Sequence, residues 1–89
     1  MIHELKIKSE FAKSILTGDK TFEIRENDRG FQKGDRINFK VILDDWSLRN
    51  RDTVKEFENK LYVITYVLNG WGLKNGFVVF GIREERQGR

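Results

Sequence analysis

The stretch Ile37-Asn38-Phe39-Lys40-Val41-Ile42-Leu43 decides the fold. Its apolar residues Ile37, Phe39, Val41 and Leu43 alternate with others at period two, the mark of a strand with one buried face. It opens directly from the turn Lys33-Gly34-Asp35, where Gly34 suits a tight bend with positive φ. Working outward, His3, Leu5 and Ile7 alternate with Glu4, Lys6 and Lys8, which predicts an earlier strand. Phe22 and Ile24 alternate with Thr21, Glu23 and Arg25 in the same way. Residues 61–68 are rich in β-branched and aromatic side chains, and residues 77–82 are apolar on both faces, as in an interior strand.

One short helix interrupts this series. Ser9 is the expected N-cap, Glu10 suits the first turn, and Phe11, Ala12, Ile15 and Leu16 share a face. Gly18 is the expected left-handed stop, giving a helix over about residues 10–17. From Asp44 to Glu58 the pattern dissolves into charge, with Trp46 and Phe57 as isolated anchors. The predicted order is β-α-β-β-β-β. Short turns favour antiparallel pairing, and one apolar face favours curling into a barrel that hides its edges. The expectation is an α+β, mainly β domain over residues 1–84, a five- to six-stranded barrel with one short N-terminal helix, and a flexible tail over 85–89.

Composition narrows the chemistry. There is no cysteine, which excludes disulfides, thiolate metal sites and a cysteine nucleophile. A single histidine, His3, makes a histidine metal cluster implausible, and no metal or cofactor is expected. No apolar run nears the roughly 20 residues of a membrane helix, and the first residues carry no apolar leader. A cytoplasmic protein without membrane contact is expected. A net charge of +3 is compatible with an anionic partner.

The segment Gly18-Asp19-Lys20-Thr21-Phe22-Glu23-Ile24-Arg25 concentrates polar chemistry. Thr21, Glu23 and Arg25 project from one strand face, and Phe22 and Ile24, on the other, read as core. Spacing alone leaves two readings. One is a solvated sheet face with a Glu23–Arg25 surface pair of little worth. The other is a polar cleft in which Arg25 or Lys20 meets a phosphate, and Glu23 accepts from an amino group or acts as a base.

The pattern Gly18-x-Lys20-x-x-Glu23-x-Arg25 resembles the signature of the ASCH domains, a branch of the PUA-like fold. Further matches at His3 to Ile7, Phe11, Asn27-Asp28-Arg29, Phe31, Gly34-Asp35, Gly72-Leu73 and Gly76 to Val79 resemble a compact bacterial and phage subfamily of unknown function, DUF3850-like. The resemblance spans nearly the whole chain apart from residues 44–58 and the tail. It implies a PUA-like barrel with a cleft beside the first helix, and an RNA or modified nucleoside as partner. Some relatives are amidohydrolases of an acylated cytidine that use a lysine, a threonine and a distant glutamate. Lys20 matches the lysine. Glu23 stands where the threonine would fall, Thr21 lies two positions earlier, and the glutamate has no counterpart. The expectation is therefore a binding module, acting as a monomer. The alternatives are a small hydrolase using Lys20, Thr21 and Glu23, and a protein-interaction domain using Trp46 or Trp71.

Other residues keep two readings each. His3 is a part-buried strand residue or a member of the cleft. Arg29 is a phosphate contact or an exposed turn cation. Trp71, between two glycines, is a lid on the core or a platform on which a base stacks. Arg49, Arg51 and Lys55 near Trp46 could follow a single strand, but Asp44, Asp45, Asp52 and Glu56 dilute their charge. Tyr62 and Tyr66 are expected on one strand face, as core or cleft lining.

Overall fold

A computed structural model describes residues 1–86. The chain forms β1 (Ile2–Ile7), α1 (Ser9–Leu16), β2 (Phe22–Glu26), β3 (Arg36–Val41), α2 (Asp45–Arg49), α3 (Arg51–Glu58), β4 (Tyr62–Asn69) and β5 (Phe77–Glu84). The strands make one sheet in the order β1-β3-β4-β5-β2. It is α+β, mainly β, and curves as a half-barrel. Among the described residues, no helix is long and apolar enough to cross a membrane.

Alternation builds the core. His3, Leu5 and Ile7 point inward from β1, Ile37, Phe39 and Val41 from β3, and Val78, Phe80 and Ile82 from β5. Phe39 stacks on Phe57 of α3 at 5.6 Å between centroids, and Tyr62 meets both rings. Ala12 and Ile15 cover the same core from α1.

Several expectations are corrected. The β1–β3 pairing is parallel, not antiparallel. The connection between them carries α1 and β2, ample chain for a parallel return. Residues 44–58 are not irregular but hold α2 and α3. Asp44 caps α2 through a reciprocal box with Ser47, and α3 is anchored by a single fully buried residue, Phe57, so α2 is too short to show a period and the apolar side of α3 is narrow in a mostly charged segment. Ser9 begins α1 rather than capping it, and its hydroxyl donates to the Asp44 carboxylate. That bond, aided by the Ser47 amide, holds the Asp44 carboxyl below its ordinary value. A register shift between Ile64 and Tyr66 puts Tyr62 in the core and Tyr66 in solvent, so the two do not share a face. Of the proposed tail, Glu85 is tied down: its amide donates to the Leu61 carbonyl and its carboxylate pairs with Arg36. Residues 87–89 lie outside the described residues.

The largest correction concerns β2. Glu23 opposes Phe80 and Arg25 opposes Val78 across the antiparallel ladder to β5. Directly opposed residues share a face. Since Phe80 and Val78 point into the core, Glu23 and Arg25 point inward too. Phe22 and Ile24, expected in the core, are 42% and 53% exposed. Neither β2 nor α2 supplies an apolar core residue.

Phe57→Ala should lower unfolding free energy by about 3–5 kcal/mol, a large part of what a domain this size holds. Urea denaturation reads this directly, and a loss below about 1 kcal/mol would show that α3 does not complete the core.

Candidate functional site

The sheet's two outer strands, β1 and β2, are not paired to each other. Side chains cross the gap instead. The Arg25 guanidinium donates to the Lys6 carbonyl at 2.8 Å, and Arg29 donates to the Glu4 carbonyl at 3.0 Å. These carbonyls alternate along β1 with those facing β3, so they lie on its open edge. Two arginines thus satisfy part of an edge that a closed barrel would pair.

Glu23 holds this seam together. Its carboxylate is buried, with the side chain 5% exposed. Arg25 Nε donates to Oε1 at 2.9 Å, and the Lys20 ammonium donates to Oε2. Lys20 also donates to the Phe22 carbonyl at 2.6 Å. Its Nζ sits 5.3 Å from the Phe11 ring centroid and 5.0 Å from that of Phe22. A buried charge is tolerated only when paired and hydrogen-bonded, and both conditions are met here.

Lys20 is placed by the end of α1. Gly18 takes φ +85° and donates to the Ile15 carbonyl, and the Lys20 amide then donates to the Ser14 carbonyl. This is the left-handed helix stop expected from the sequence, and it delivers the chain to β2. A side chain at Gly18 would meet no atom, so its requirement is conformational.

Around Glu23 runs a groove in two adjoining parts of about 270 and 240 Å³. Phe11, Glu23 and Ile24 line both. Lys20 and Phe22 complete the first part, and Lys6, Lys8, Arg25 and Ile42 help form the second. Its walls are therefore aromatic and aliphatic, its floor a carboxylate, and its rim cationic. A larger cleft of about 620 Å³ lies on the other side of Lys20, lined by Leu16, Thr21, Glu56, Lys60 and Glu84 among others. Thr21 faces this second cleft and Glu23 the groove, with Lys20 between them.

The other expected site residues stand apart. His3 is buried, with its ring edge on Phe31 and Nε2 donating to Asp35 at 2.9 Å. It is a strand anchor and not a groove residue. Trp71 is no lid on the core, being 89% exposed. Arg29 belongs to the seam. Phe11, expected on the buried face of α1, is 40% exposed and walls the groove. Lys6, Lys8 and Ile42 were missed as groove residues. Their signal was only their place at the ends of two parallel strands, which the sequence did not reveal as neighbours.

Taken together, the fold and site define a small mixed-sheet domain with a paired carboxylate at the bottom of an apolar, cation-rimmed groove. The chain matches the family model of a domain of unknown function, DUF3850, over residues 2–82, and it belongs to that family. A comparison with curated proteins gave no match.

Two tests follow from this geometry. Glu23→Gln places an amide donor against Lys20 or Arg25 and removes the countercharge. It should cost about 1–3 kcal/mol in urea denaturation, whereas an unchanged midpoint would mean the seam contributes no stability. The second concerns acid. The His3 hydrogen bond, opposed by partial burial and helped by the Gln32 amide, lowers the Asp35 carboxyl from its ordinary 3.8. A carboxyl lowered in the folded state stabilises it above the unfolded value and loses that contribution as pH falls through the folded one. Thermal midpoints of Asp35→Asn should therefore fall less steeply than those of the parent below about pH 4. Parallel curves would contradict the assignment.

Proposed function

We propose that the domain is an RNA-binding module that takes one unpaired base, or a modified nucleoside, into the groove over Glu23. The observation that carries this reading is the combination at one place of stacking walls, a carboxylate acceptor and flanking cations. Single-stranded RNA is held in this way, with bases stacked on aromatic rings and phosphates met by lysine and arginine. Phe11 and Phe22 would stack the base, and Glu23 would accept from an exocyclic amino group. Lys6, Lys8, Lys20 and Arg25 would meet phosphate. Each part of the groove is smaller than the roughly 300–1,000 Å³ of drug-sized pockets, which suits one base and not a large ligand.

The resemblance of Gly18-x-Lys20-x-x-Glu23-x-Arg25 to the ASCH signature points the same way, and we assign the fold to the PUA-like group on that basis. A cytoplasmic monomer fits the absence of cysteine and the mixed surface charge. The hydrolase alternative is less favoured. Lys20, Thr21 and Glu23 do not line one common cleft, and both Glu23 oxygens already accept from cations.

Fluorescence anisotropy with labelled single-stranded and stem-loop RNAs at low salt tests the proposal. Binding should weaken as salt rises and fall about tenfold or more in Lys20→Ala or Arg25→Ala. No binding to any RNA at low salt would overturn it.

A further inference from the structure

Trp71 occupies a position that its own fold does not reward. Gly70, Trp71 and Gly72 have φ of +70°, +53° and +89°, and the Leu73 amide donates to the Gly70 carbonyl at 3.0 Å. This is a left-handed turn with Trp71 at its first central position, where glycine and asparagine are favoured. Trp71 is the one described non-glycine residue with positive φ. A bulky side chain there is strained, and such strain tends to gather where a chain does work. The indole gains nothing from the domain in return, being 89% exposed.

Beside this turn lies a cleft of about 570 Å³, lined by Asn27, Asn69, Asn75, Lys74 and the Gly70 and Gly76 backbone among others. Its polar side chains are three amides and one cation, set beside the apolar Leu73, Phe77 and Val78. Amides both donate and accept, so they match the mixed edge of a nucleobase. The cleft is also joined to the Glu23 groove by the chain itself. Glu23 lines the groove, while Asn27, four residues further along the chain and just past the end of β2, lines the cleft and donates its backbone amide to the Gly76 carbonyl. Four extended residues span about 13 Å.

We propose that Trp71 and this amide-lined cleft form a second base subsite, which stacks another base of the RNA strand held in the Glu23 groove. This rests on the RNA-binding reading given above. The exposed carboxylates Glu26, between the two positions along the chain, and Asp28, just past Asn27, offset the charge of Lys74, so phosphate attraction is weak at the second position and stacking on the indole carries it. The groove and the turn therefore differ in salt response. Loss of Lys20 matters most at low salt, whereas loss of Trp71 persists when salt is raised.

The test uses the full chain and a labelled single-stranded RNA of about eight nucleotides, within the range one small β domain covers. Trp71→Ala should weaken binding about tenfold at both low and moderate salt, the worth of one stacked base. Trp71→Gly, which relieves the turn, should bind as weakly while its urea midpoint is unchanged or raised. In a Trp46→Phe background Trp71 is the only indole left, and its emission should be quenched on RNA addition. Tight binding that is lost in Lys20→Ala but unchanged in both Trp71 variants, with no quenching, would overturn the second subsite and leave the groove standing. No RNA binding by the parent chain would overturn both.

Discussion

Everything distinctive in this domain depends on one buried carboxylate. Glu23 sits where a sheet of five strands fails to close on itself, held between the Lys20 ammonium and the Arg25 guanidinium. Its position follows from the register of β2 against β5, which forces Glu23 onto the face occupied by Phe80. A carboxylate there would be costly alone. Its two cations offset that cost, and one of them, Arg25, is thereby fixed to reach the open edge of β1. Arg29 adds a second crossing. The half-barrel is thus bridged by side chains where backbone pairing stops.

The same arrangement makes the groove. When Glu23 and Arg25 turn inward, Phe22 and Ile24 must turn outward, because alternation leaves no other choice. Together with Phe11 they form an exposed apolar wall around a polar floor. Exposed apolar surface beside a buried charge is a poor solution for stability alone, and it is the kind of local inconsistency expected at a site kept for a partner. Lys20 links the two roles, since it pairs with Glu23 and also lies near both aromatic rings.

How much of this was legible in the sequence varied by element. The alternation at Ile37, Phe39 and Val41 gave the third strand and its inner face correctly, because nothing competes with apolar burial there. Gly18 gave the helix stop because only a left-handed residue fits it. The pattern at 21–25 gave a strand and two opposed faces, but period two does not say which face is inside. Apolar-in is the default, and it failed because pairing with β5, a long-range fact, set the orientation. The parallel pairing of β1 with β3 was hidden for the same reason. So were the groove residues Lys6 and Ile42, which that pairing brings close to Glu23. Helices α2 and α3 escaped notice because they are short, polar and anchored by few buried residues. The grouping of Lys20, Glu23 and Arg25 was found from spacing and resemblance. The seam they build with β1 needed three dimensions.

The central claim is that the Glu23 seam is also where a ligand is received. Amide chemical-shift mapping with a short single-stranded RNA tests it most directly, since every element reports at once. The account predicts perturbations centred on Phe11 and residues 20–29, with smaller ones at residues 69–76. Perturbations confined to the cations of α2 and α3, at Arg49, Arg51 and Lys55, with Glu23 and Arg25 unmoved, would contradict it.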